Sequence, residues 1–191
     1  MSLGIEANKN KIADLLVYLS SKVDKINLRK LLKLVYLIDV HAMEKRAIPI
    51  SWLEYKVWQY GPVSPEIYDI KNNGGAFADD ILVTKNDFGK YIISPKRDVD
   101  LKQFSKNEMR IIEDVISKYG NMTADELSDL THEDGKLWGQ AVKTNNIVFT
   151  EDHTKTDIII DLKSSLKDES ARETYNEARE CVEFQAALNR A

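Results

Sequence analysis

From Leu28 to Ala42 the chain carries apolar residues round most of a helical circumference: Leu28, Leu31, Leu32, Leu34, Val35, Ile38 and Ala42. A surface helix needs one apolar stripe. A band this wide predicts a central helix touched by neighbours on more than one side. Asn27 is a good N-cap residue, and Pro49 cannot continue a helix interior. The helix is therefore expected over 28–46, with the domain built round it.

The neighbours follow from local signals. Ile12, Leu15, Leu16 and Leu19 recur at helical spacing, predicting a helix over Asn8 to Lys22. Trp52 to Tyr60 reads as a strand, broken by Gly61-Pro62. Ser64-Pro65-Glu66 looks like a helix start, with Ser as cap and Pro in the first turn. Ile81–Thr84 and Tyr91–Ser94 are β-rich runs joined by hairpin-loop residues. With 52–60 they are expected to form one small antiparallel sheet. Ser105-Lys106-Asn107-Glu108 and Thr123-Ala124-Asp125-Glu126 are capping-box patterns that open two further helices. A short helix is expected near Leu137 to Val142. Thr150 to Thr156 reads as a polar linker, and 157–166 fits helix and strand equally. Asp168 to Leu188 predicts a last helix with Ala171, Tyr175, Ala178, Val182 and Leu188 on one side. The expectation is an α+β fold, a predominantly helical single domain with a small antiparallel β-sheet. Residues 1–150 form its body, and 151–191 form a linker and a helix docked on it.

Length and charge narrow the function. A chain of 191 residues can bury a core without disulfides or a structural metal. No run of about 18 apolar residues suggests a membrane span, and the first ten residues lack a secretory signal. Met1-Ser2-Leu3-Gly4 is given no functional weight. The single cysteine, Cys181, excludes an internal disulfide and fits a reducing, cytoplasmic setting. The net charge of −4 argues against a protein that coats nucleic acid, where a broad basic face is favoured. Residues 1–60 are the exception: they carry ten basic and six acidic side chains, enough for a local anionic contact.

Sites of chemistry are sparse. The helices at 105–119 and 123 onward have a helix-turn-helix layout. The second carries Asp125, Glu126 and Asp129 where a recognition helix needs cations, so it reads as an ordinary helical hairpin. His41 and Glu44 could share a helix face, and His132 could be supported by Asp134, but neither makes a metal or catalytic set. His132 reads as a buried histidine bonded to backbone, and Cys181 as a buried, inert thiol. No nucleophile elbow, phosphate loop or dinucleotide fingerprint occurs. No catalytic residue, cofactor or metal is expected, and the chain is not expected to be an enzyme. What stands out is the segment from Trp52 to Tyr68, rich in aromatics and prolines. It suits a rigid binding surface and a core corner equally well.

Three motifs in order carry a family resemblance. Lys33-Leu34-Val35-Tyr36-Leu37-Ile38-Asp39 resembles a Lys-Leu-Leu-Tyr-Leu-x-Asp helix, with Val35 in place of a leucine. Trp58-Gln59-Tyr60-Gly61-Pro62-Val63, continuing through Pro65 to Tyr68, resembles an aromatic-x-Tyr-Gly-Pro-Val turn. Leu130-Thr131-His132 with Trp138 resembles a Leu-Thr-His…Trp element. Together they resemble the Panacea domain family, the SocA-like antitoxins and phage-associated GepA-like proteins, from about Lys11 to Val142. The resemblance implies a largely helical domain and an antitoxin role in bacterial or phage toxin–antitoxin modules. It implies neutralisation of a cognate protein toxin by contact. A cellular protease, or a second copy of the chain, is a further partner class. The alternative is a DNA-binding regulator of its own operon, supported only by Arg29, Lys30, Lys33, Lys45 and Arg46. The matching residues are Lys33, Tyr36, Trp58, Tyr60, Gly61, Pro62, Val63, Pro65, Tyr68, His132 and Trp138. They are read first as scaffold and second as partner contacts. Beyond Thr150 no motif matches. There the acidic outer face of the last helix is expected to be solvated, with contact to a basic toxin as the sharper reading.

Overall fold

The computed structural model describes residues 2–190. The fold is α+β and predominantly helical, as the patterning predicts. Helix α1 (Leu3–Lys22) and helix α2 (Leu28–Arg46) form its centre. Leu31, Leu34 and Ile38 of α2 have no exposed surface. The wide apolar band is explained by what covers it: α1, the β-sheet, and the later helices all pack on α2. The α2 start is set by Asn27, whose side chain accepts the Lys30 N–H.

Helix α1 is longer than predicted. Asn8 departs from helical geometry (φ −155°, ψ 74°), and its side chain caps the Lys11 N–H at 3.0 Å. The expected start is thus a kink, with another helical stretch before it. Gly4 lies in that stretch and touches the chain at Ser51: a Cβ there would stand 1.8 Å from the Ser51 carbonyl oxygen. Ser2 and Gly4 are part of the packing.

The single sheet expected from 52–60, 81–84 and 91–94 does not form. Strand β1 is only Lys56–Trp58, and Gly61–Val63 does not break it but folds back as β2, with Trp58 opposite Gly61. Proline is tolerated there because β2 is an edge strand, where no ladder N–H is needed. Strands β3 (Ile81–Lys85) and β4 (Tyr91–Pro95) make a separate hairpin. It is held to the α1–α2 turn by the Ile93 N–H to Ile26 carbonyl bond at 2.9 Å.

The other neighbour of β1 comes from far along the chain. After helix α3 (Pro65–Tyr68), helix α4 (Lys106–Tyr119), helix α5 (Ala124–His132) and helix α6 (Leu137–Thr144), strand β5 (Lys155–Ile159) pairs antiparallel with β1. Both expected capping boxes, at Ser105/Glu108 and Thr123/Glu126, are present. The last helix, α7 (Glu169–Arg190), lies on α1. Its covered stripe is Ala171, Tyr175, Ala178, Val182 and Ala186, with Tyr175 against Trp52 at 5.3 Å. Leu188, expected in the stripe, is 54% exposed, because the helical period reaches Ala186 instead. Cys181 is exposed and not buried: it sits next to the stripe but one step round the helix from it.

Candidate functional site

The three motifs lie far apart in sequence and meet at one place. Lys33 projects from α2 with only 1% of its surface exposed, and its Nζ donates to the Pro62 carbonyl at 3.2 Å. Gly61, at φ +99°, brings the β1–β2 turn close: a Cβ there would be 2.5 Å from the Lys33 Nζ and 2.8 Å from the Thr131 Oγ1. Thr131 is buried on α5, and its hydroxyl donates to the Ser128 carbonyl at 2.8 Å.

The aromatic members continue the contact. The Trp138 Nε1 donates to the Trp58 carbonyl at 3.0 Å, tying α6 to β1. His132 stacks on Trp138 with ring centres 3.8 Å apart. Its Nε2 is buried with no hydrogen-bond partner, so the expected bond to backbone is not made by that nitrogen. Burial, with Lys33 nearby, holds the imidazole below its ordinary range. Asp134 does not support it; its carboxylate binds Lys143 at 2.8 Å at the surface. Trp58 packs edge-to-face on Tyr68 at 4.8 Å, Val63 is buried, and Pro65 opens α3. Tyr60, at the turn, is 60% exposed.

Tyr36 lies apart from this cluster, on another side of α2. It packs on Tyr55 at 5.1 Å, and Tyr55 leads to Asp39, the last residue of the first motif, which is not counted among the matching residues. Asp39 is fully buried and accepts the Ile50 N–H, the Ser51 N–H and the Tyr55 hydroxyl, each at 2.8 Å, as well as the Ser51 hydroxyl. It anchors the segment that leads into β1. The available signal was an acidic residue inside the widest apolar band in the chain. Elsewhere on α2, His41 bonds the Leu37 carbonyl through Nδ1 at 3.0 Å and packs on Tyr119. Among the described residues no group of three or more His, Cys, Asp or Glu side chains is placed to hold a metal.

Among the described residues Lys33 has no carboxylate beside it. Loss of hydration lowers its pKa from 10.5 to about 7, and Arg29 adds to the shift. Its sign for stability follows. Between about 7 and 10.5 the unfolded chain holds a proton that the folded chain has released, so stability rises with pH across that window. Below it both states are charged and the cost of the buried charge is fully present. Lys33→Met is therefore expected to flatten the rise in stability, compared by thermal melts at about pH 6 and about pH 9, a difference on the order of 1–3 kcal/mol. Equal slopes in the two proteins would show that the ammonium is solvated.

A groove of about 830 Å³ opens beside the cluster, between the N-terminal ends of α2 and α5, the β1–β2 hairpin, and the starts of β4 and β5. Lys33, Trp58, Tyr60, Val63 and Tyr68 line it. Its basic side chains are Lys25, Arg29, Lys30, Lys33, Lys90 and Lys155, against one carboxylate, Asp125. A cavity of similar size, about 860 Å³, lies toward the C-terminal end of α2 under α7. It carries Lys45, Arg46, Lys136 and Lys167 with Glu44 and Asp168, and of the eleven matching residues it contains Tyr36 alone against five in the basic groove, so the basic groove is the candidate site.

The family model for the SocA-like antitoxin, Panacea domain, matches residues 31–139. The match runs from just before Lys33 to just after Trp138, so it includes every motif residue. Neither the curated proteins nor the solved structures supply a match.

Proposed function

We propose, since this chain belongs to the SocA-like antitoxin family of Panacea domains, that it neutralises a cognate protein toxin by direct contact and catalyses no reaction. The observation that carries this reading is that five residues of the first two motifs, Lys33, Trp58, Tyr60, Val63 and Tyr68, line one open groove. Residues needed only for a core would be expected to end in the interior, yet Tyr60, Trp58 and Tyr68 reach the groove, and Lys33 forms its buried end. Exposed tryptophan and tyrosine side chains are enriched among the residues that carry binding energy at protein contacts. The reading sets the protein in a bacterial or phage toxin–antitoxin module within a reducing cytoplasm, in keeping with its single cysteine.

The test is co-expression with the open reading frame next to its gene. Expression of that neighbour alone is expected to arrest growth, and co-expression of the full chain is expected to restore it, with the two proteins co-eluting on size exclusion. Growth arrest that persists with the soluble chain present would overturn the reading.

A further inference from the structure

We infer that the basic groove receives an acidic peptide segment of the protein that this chain neutralises. The inference rests on the antitoxin reading and adds the chemistry of the contact.

Charge supplies the first argument. The chain carries a net −4, yet five of its cations ring the groove and Lys33 closes its inner end. The carboxylate that lines it, Asp125, is engaged by Arg29, and Asp24 and Glu126 stand near Lys30. Lys30 donates to the Gly120 carbonyl at 2.6 Å. Lys25 and Lys90 are exposed and have no ion-pair partner among the described residues. The first turn of α2, which borders the groove, has no acidic residue, so the positive end of its dipole is uncompensated. Opposite charge at such a surface speeds encounter and selects partners.

The aromatic rings favour a peptide over a nucleic acid. Single strands bind by stacking bases on free ring faces. Two of the rings that line this groove have a face taken: the Lys155 ammonium stands 4.5 Å from the centre of Trp58, and Lys71 stands 3.9 Å from that of Tyr68. The two rings also pack on each other. What the groove offers is ammonium groups held in place over rings, with Tyr60 exposed at the rim. That arrangement suits carboxylates on a peptide with an apolar or aromatic neighbour.

The experiment compares three full-length proteins: the natural chain, K25E/K90E in the groove, and K102E/K106E on a distant exposed surface. Each is titrated against a labelled peptide of alternating glutamate and tyrosine and against a single-stranded RNA of similar charge, and each is tested for rescue of growth. The expected result is salt-dependent peptide binding, weakened about tenfold or more by K25E/K90E and little changed by K102E/K106E, with all three melting alike. Rescue is expected to fail for K25E/K90E alone. Equal weakening by both double variants, or binding of the RNA in preference to the peptide, overturns the inference. Full rescue by K25E/K90E overturns it while leaving the antitoxin reading standing. Groove-dependent peptide binding by a natural chain that fails to rescue growth overturns the antitoxin reading instead.

Discussion

A chain ending at Thr150 is expected not to fold cooperatively. The truncation removes β5, and with it the bonds from the Gln59 N–H to the Thr154 carbonyl (2.8 Å), from the Ile160 N–H to the Tyr55 carbonyl (2.7 Å), and from the Thr156 hydroxyl to the Val57 carbonyl (2.7 Å). Strand β1 would keep only β2 as a partner, three residues long. Ile160, Leu162 and Leu166, all buried, would be lost from the core, and removal of α7 would uncover α1 and Trp52. Burying one such side chain contributes about 1.5–3 kcal/mol, and whole domains are stable by only about 5–15 kcal/mol. The losses together are of that size. Thermal melting by circular dichroism is expected to show a broad, non-cooperative loss of helix in the fragment and a single sharp transition in the full chain. A fragment that melts sharply near the full chain's temperature would show that residues 151–190 are an appendage on an independent body.

Gly61→Val is expected to be the most damaging single substitution in the site. Valine at φ +99° is in a region that β-branched residues essentially avoid, at a cost of about 1–3 kcal/mol. Its Cβ would also displace the Lys33 ammonium and crowd the Thr131 hydroxyl. Moving Lys33 parts it from the Pro62 carbonyl, its hydrogen-bond partner in the interior, which adds about 1–3 kcal/mol. A total of about 3–5 kcal/mol corresponds to a fall in melting temperature of roughly 10 °C for a domain this long. Rescue of growth is expected to fall with stability. A variant that melts like the natural chain but has lost rescue would place Gly61 in the partner contact and not in the scaffold.

The elements of the fold were legible where local chemistry dictates them. Asn27, Ser105 and Thr123 each cap the helix that the sequence predicts, because a short side-chain oxygen beside an unpaired N–H is a local arrangement. The central place of α2 followed from its apolar band, since a helix that is apolar round most of its circumference must be covered. The sheet was not legible in the same way. Nothing in Lys56–Trp58 says whether its second neighbour is Ile81–Lys85 or Lys155–Ile159. Strand pairing is a long-range choice, and these short strands alternate too briefly to specify a partner.

The site divides along the same line. The sequence alone determined the residue types: a lysine on an apolar helix, a Gly-Pro turn between aromatics, and a Thr-His pair ahead of a tryptophan. It did not determine the backbone of Gly61: the residue before a proline is ordinarily extended at negative φ, and the fold instead uses glycine's freedom to hold φ +99°. Only the tertiary structure decided that Lys33 meets Pro62, that Thr131 closes on Gly61, and that Asp39 anchors the approach to β1. It also gathered cations from the turn before α2, from α2, from the residue ahead of β4 and from β5 round one groove in a chain whose net charge is negative. The physical reason is that capping and helical periodicity act over a few residues, within reach of one side chain. Burial, strand pairing and the summed field of charges depend on which distant segments the core brings together.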